Sequence, residues 1–173
     1  MKPNLVVLLL GIFLASAACA RATVLPSSCG DDKVKFDVKT EASQPPPAPP
    51  ADGKAQIVFL ENENVPLGPF MYATVRFGMD GAWVGADNGN SYFALSVDPG
   101  VHHLCANWQS SLGRFDKDVD LTSFTAEPGK VYYFTAYVTF ESRGVVTFSL
   151  TPTNEDEGKY RVTVSKVATW KSK

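Results

Sequence analysis

Apolar residues recurring at every second position, cut at short intervals by turn dipeptides, most limit what this chain can become. The pattern is densest between Met79 and Trp108. Asp80-Gly81 accepts the positive φ angles of a two-residue hairpin. Trp83-Val84-Gly85 then returns as a short strand, Asp87 to Asn90 makes a second turn, and Asp98-Pro99-Gly100 a third. Just upstream, Met71, Ala73, Val75, Phe77 and Met79 share one face, while Tyr72, Thr74 and Arg76 share the other. Phe93, Leu95 and Val97 form the next inward set. Beyond the third turn, Leu104, Ala106 and Trp108 face one way and Val101, His103 and Cys105 the other.

The same grammar runs through the rest of the body. Ala55 to Leu60 is a nearly continuous apolar run, which suits a strand covered on both faces. Val119 and Leu121 mark a strand that ends at the turn Glu127-Pro128-Gly129-Lys130. Val131 to Phe140 is the longest β signal, with Tyr132, Phe134, Ala136, Val138 and Phe140 on one stripe and Val131, Tyr133, Thr135, Tyr137 and Thr139 on the other; it is the central-strand candidate. Ser142-Arg143-Gly144 turns it back into Val146, Phe148 and Leu150. Thr153 or Asn154 can cap a helix starting Glu155-Asp156-Glu157, where acids suit the helix dipole. Arg161 to Val167 has strand spacing instead, so the type of residues 155–167 stays open. Thirteen Gly and twelve Pro fit short strands joined by turns. The expected fold is all-β, an antiparallel immunoglobulin-like sandwich of seven to eight strands with room for one short carboxy-terminal helix, spanning residues 54–168. The basic tail, 169–173, is expected to be loose.

The first 22 residues read as a signal peptide, with Lys2, an apolar run from Leu5 to Ala15 and then small residues. The run is too short to span a bilayer comfortably. Cleavage at Ala18-Cys19-Ala20 or Ala20-Arg21-Ala22 would release a soluble chain. Alternatively Cys19 becomes the lipidated first residue of a lipoprotein, although Ser16 occupies the place where such signals carry an aliphatic residue. Either route removes Cys19 from the thiol count and leaves Cys29 and Cys105, which an oxidising compartment would pair. A metal site at His102, His103 and Cys105 is the competing reading, opposed because adjacent strand residues point to opposite faces. Residues 23–39 form an arm whose Val34 to Val38 segment alternates like an edge strand. Five prolines within residues 40–53 make a stiff spacer or, less commonly, a docking peptide.

Charge and motif content narrow the function. Without residues 1–22 the chain keeps 14 basic and 18 acidic side chains, and its arginines are scattered; nucleic-acid binding needs clustered cations. No nucleophile elbow, zinc helix, phosphate loop or dinucleotide glycine pattern is present. The Asp87 to Asn90 loop holds one carboxylate, too few for calcium, which takes six to eight oxygens. Asp116, Asp118 and Asp120 share a strand face and could chelate a cation, but a solvated face explains them better, because acidic residues alternate with core residues in ordinary exposed sheets. No enzyme activity, metal or cofactor is expected. Tyr72, Tyr92, Tyr133 and Tyr137 lie opposite the core stripes and form a candidate binding face, unless another layer covers them.

The motifs Asp80-Gly81-Ala82-Trp83-Val84-Gly85, Asn90-Ser91-Tyr92-Phe93, Asp98-Pro99-Gly100-Val101-His102-His103-Leu104-Cys105, Glu127-Pro128-Gly129-Lys130-Val131-Tyr132-Tyr133-Phe134 and Glu157-Gly158-Lys159 occur in an order that resembles the bacterial domain-of-unknown-function family 2846. The hairpin followed by a Pro-Gly turn also resembles PEGA-type surface modules. The likeness covers residues 54–166. It implies a β-sandwich protein of the bacterial envelope, often a lipoprotein, with no catalytic residues to carry over. The resulting expectation is an exported, non-catalytic interaction or structural module of the periplasm or cell envelope. Its partner would be an envelope protein or a glycan, and it would touch a membrane only through Cys19. The alternative is a carbohydrate or small-ligand module using the tyrosine face.

Overall fold

The computed structural model describes residues 25–42, 47–64, 73–109, 118–140 and 146–173. The expected signal peptide with Cys19, Tyr72, Asp116, the Ser142 to Gly144 turn and part of the proline-rich stretch lie outside them. Among the described residues are ten strands and one helix: β1 Phe36–Glu41, β2 Ala55–Asn64, β3 Thr74–Met79, β4 Ala82–Asn88, β5 Ser91–Val97, β6 Gly100–Gln109, β7 Val119–Ala126, β8 Val131–Phe140, β9 Val146–Thr153, α1 Glu155–Val164 and β10 Lys166–Ser172. They form a sandwich of a six-stranded sheet, β1-β10-β5-β2-β8-β9, and a four-stranded sheet, β4-β3-β6-β7. The all-β sandwich with a short carboxy-terminal helix stands. The structure adds strands to it and makes the larger sheet mixed, since β2 runs parallel to β8 and β10 parallel to β5.

Local chemistry explains the hairpins. Asp80 and Gly81 have φ of 53° and 90°, as a tight two-residue turn requires. Gly89 and Asn90, at 61° and 57°, make the turn that carries the chain from β4 in one sheet to β5 in the other. Asp87 is therefore not a loop residue: it is the penultimate residue of β4 and wholly buried.

The interior fills from both sheets. Phe59, Phe77 and Phe93 meet with ring centroids 4.6 to 5.5 Å apart, and Trp170 lies 4.5 Å from Phe93. Such tilted contacts add to the area the rings bury. β2 is covered on both faces, as its apolar run implies, with Ile57 and Phe59 in the inter-sheet core and Val58 and Leu60 in a second cluster with Tyr92, Tyr133 and Val162. On one open side the Leu150 N–H of β9 donates to Asp120 Oδ2 of β7 at 2.7 Å, which satisfies an edge donor and ties the two sheets.

Residues 36–41 and 166–172 both belong to the sandwich, which corrects the division into arm, spacer, body and loose tail. β1 pairs antiparallel with β10 from Phe36↔Ser172 to Glu41↔Val167, so the tail residues 169–172 are strand and Trp170 is part of the core. In the described part of the spacer, Gln56 Nε2 donates to Ala48 O at 2.9 Å, which lays residues 47–50 against β2. The physical reason is that β10 would otherwise present an unpaired edge.

Candidate functional site

Two of the four tyrosines offered as a binding face are buried. Tyr92 and Tyr133 keep 3% and 8% of their surface, because α1 lies across the outer face of the six-stranded sheet. Asn154 caps α1 by accepting the Glu157 N–H at 2.9 Å, and Glu157 and Arg161 pair one turn apart at 2.7 Å. Arg161 also stands over the Tyr137 ring and donates to its hydroxyl at 3.3 Å, so Tyr137 is half-covered. Gly158 makes the close approach possible: a Cβ there would fall 2.2 Å from Tyr133 Cγ. Burial pushes the Tyr92 and Tyr133 hydroxyls above their ordinary pKa.

Cys29 and Cys105 form a disulfide, with Cα atoms 5.2 Å apart across a separation of 76 residues. Cys105 points to the outer face of the four-stranded sheet, and residues 26–34 lie over that face. Arg76 sits beneath them with 1% of its surface exposed. Its guanidinium donates to Asn107 Oδ1 and to the carbonyls of Asp32 and Val34, and stacks 4.4 Å from the Trp83 ring centroid. Trp83 Nε1 donates to Asp31 O at 2.7 Å. Arg76 looked like an ordinary outward polar residue, and nothing in its own strand signals that the arm covers it.

The alternative metal ligands do not converge. Cys105 is in the disulfide, while His102 Nδ1 contacts Asp80 Oδ2 at 2.6 Å and its Nε2 contacts Asp98 O at 2.8 Å. Burial pulls the His102 pKa down, but the bonds and charges of Asp80 and Asp98 outweigh it and the net direction is up. Of the acidic residues offered as a cation site, Asp120 is engaged through Oδ2 by the Leu150 N–H of β9 at 2.7 Å.

The unexpected cluster is acidic and interior. Glu61 and Glu63 of β2 lie opposite Ala136 and Val138 of β8, which belong to the inter-sheet core. Asp87 of β4 lies opposite Val75 of β3, also in that core. The two sheets thus bring three carboxyls into one end of the interior, with exposures of 2%, 7% and 0% for Glu61, Glu63 and Asp87. Glu63 accepts the Ala73 N–H on both oxygens, at 3.1 and 3.2 Å. Its own N–H donates to Asn90 Oδ1 at 3.0 Å, so the turn residue anchors the end of β2. Both oxygens of Glu61 and both of Asp87 are buried without a hydrogen-bond partner.

Electrostatics follow from that burial. Desolvation raises the Glu63 carboxyl to about 7, partly opposed by the Ala73 N–H. Desolvation raises Glu61 well above the usual range, and the neighbouring charges of Asp87 and Glu63 raise it further. Desolvation raises Asp87 as well, opposed by its contact with Glu61. Burial therefore favours the protonated form of the carboxyls at this end of the core. Among the described residues no three His, Cys, Asp or Glu side chains are grouped to hold a metal ion. The signal for this cluster was present in the sequence only as Glu61 and Glu63 continuing the inward alternation of Ile57 and Phe59.

A surface depression of about 760 Å³ lies elsewhere, between the arm and the β6–β7 end of the small sheet, with Pro26, Ser28, Asp80, His103, Leu121 and Ser123 among its lining residues. Leu121 on its wall is 48% exposed.

Fold and site together define a disulfide-stapled all-β sandwich with a buried acidic end. Comparison with protein-family models, with curated proteins and with solved structures finds no match.

Proposed function

We propose that the protein is an exported, non-catalytic interaction or structural module of the bacterial envelope. The observation that carries this reading is the Cys29–Cys105 disulfide, which ties the amino-terminal arm to the middle strand β6. A bond of this kind persists in oxidising compartments. The signal-like first 22 residues and the likeness of residues 54–166 to family 2846 support the same reading. The surface offered to an envelope-protein partner is the depression between the arm and β7, where Leu121 provides an apolar contact beside polar Asp80 and Ser123. The glycan alternative loses its main support with the burial of Tyr92 and Tyr133.

The test is the non-reduced intact mass of the protein from soluble and membrane fractions of its native host. A chain starting at Arg21 or Thr23 and lighter by the two disulfide hydrogens fits a soluble envelope module. A chain starting at Cys19 with acyl groups fits an anchored one. An intact Met1 terminus with free thiols refutes export. Photocrosslinking from position 121 in the same cells should recover a protein, whereas saturable binding on a glycan array without any crosslink would return the carbohydrate reading.

A further inference from the structure

We propose that Glu61 and Asp87 share one proton across the sandwich interior, forming an acid latch that holds β2 of one sheet to β4 of the other and loosens under alkaline conditions. The geometry carries it. The two side chains come from different sheets, are 2% and 0% exposed, and lie within reach of each other. None of their four carboxyl oxygens has a well-formed hydrogen bond, although the Gly89 backbone lies close enough to Glu61 to oppose the rise in its pKa in part. As two carboxylates they could only accept, and two buried like charges in contact repel strongly. One proton turns one group into a donor and the other into a charge-assisted acceptor, which satisfies both. A divalent cation is the competing neutraliser. Two carboxylates supply at most four oxygens, whereas calcium takes six to eight.

Few other charges touch the pair. From β2 itself Glu63 faces it and, among the described residues of these strands, is the further titratable group on that side; Val75 of β3, Phe93 of β5, and Ala136 and Val138 of β8 are apolar. Glu157 and Arg161 of α1 line one depression together with Leu60 and Glu61, and are paired with each other. Burial raises the carboxyls in the direction the latch requires. The sign follows from linkage. The folded state holds the proton more tightly than the unfolded chain, so the contribution is complete below the unfolded carboxyl range and is lost as pH rises.

The experiment is urea unfolding of the disulfide-intact chain between pH 5 and 9. Above about pH 7.5 Glu63, with its pKa of about 7, is largely ionised. There the wild-type unfolding constant should keep rising, by up to about tenfold per pH unit for one linked proton. Glu61→Gln places an amide N–H where the proton lay and should flatten that rise, and Asp87→Asn should do the same from the other strand. If neither variant folds, carbon-13 spectra of the wild-type carboxyl carbons decide: a protonated resonance from the pair at pH 7 supports the latch. Both carbons ionised at pH 7, or an undiminished rise in both amide variants, overturns it. So does a melting temperature raised by calcium, magnesium or zinc chloride in the wild type but not in Glu61→Gln, because a cation would then occupy the proton's place.

Discussion

Gly158→Ala is expected to destabilise the protein, although the same change in an exposed helix stabilises it by about 1 kcal/mol. Gly158 is buried in α1, and the added carbon would sit 2.2, 2.5 and 2.7 Å from Cγ, Cδ1 and Cδ2 of Tyr133. Ordinary contact begins near 3.4 Å, so the ring or the helix must retreat by roughly an ångström. Tyr133 cannot yield easily, because Val58, Leu60, Tyr92 and Val162 pack around it. The helix therefore lifts and uncovers part of that cluster. Overpacking costs about 1–3 kcal/mol, and the lost apolar cover adds to it. Set against the propensity gain, the net loss is about 1–2 kcal/mol, or a melting temperature lower by roughly 3–8 °C. Circular dichroism melts of the oxidised protein measure it. In a Tyr133→Ala background the Gly158→Ala change should become harmless or favourable, since the ring that the new methyl strikes is gone. A single Gly158→Ala variant as stable as the wild type would refute the reasoning that the glycine is there for close approach.

Three further outcomes follow from the same structure. Cys29→Ser with Cys105→Ser should lower stability by up to about 4 kcal/mol, the chain-entropy value for a loop of this length; a denaturation midpoint that reductant leaves unchanged would contradict it. Glu63 has a folded pKa of about 7 against its ordinary 4.5, so its contribution is complete below the unfolded value and lost as pH rises to 7. Glu63→Gln, which can still accept the Ala73 N–H, should gain on the wild type by at most about 3 kcal/mol between pH 4.5 and 8, and a constant difference across that range would exclude the assignment. Ending the chain at Ala168 removes Trp170 and four of the six β1–β10 register pairs. Trp170 is only partly buried, so its loss should cost less than the ~3–5 kcal/mol of a fully buried Trp, and hydrogen exchange should show β1 unprotected; an unchanged melt would mean the tail is dispensable.

What this sequence determined by itself is local. Alternation in Val75-Arg76-Phe77 and Phe134-Thr135-Ala136 marks strands because side chains on a strand alternate faces whatever lies around them. Asp80-Gly81 makes its turn because the backbone angles are a property of those two residues, and both adopt positive φ. The unbroken run Ala55 to Leu60 announces a strand covered twice, and β2 is covered twice. The pairing of Cys29 with Cys105 was legible from the thiol count once Cys19 was set aside.

Only the tertiary structure decided what covers each face. Alternation separates two stripes but does not say which layer reaches them. Tyr92 and Tyr133 therefore looked available until α1 lay over them, and Arg76 looked solvated until residues 31–34 closed over it. Residues 169–172 looked loose because strand pairing with β1 joins segments more than a hundred positions apart. Glu61 and Asp87 meet for the same reason. Each lies on an ordinary strand, and only the stacking of two sheets takes both out of water.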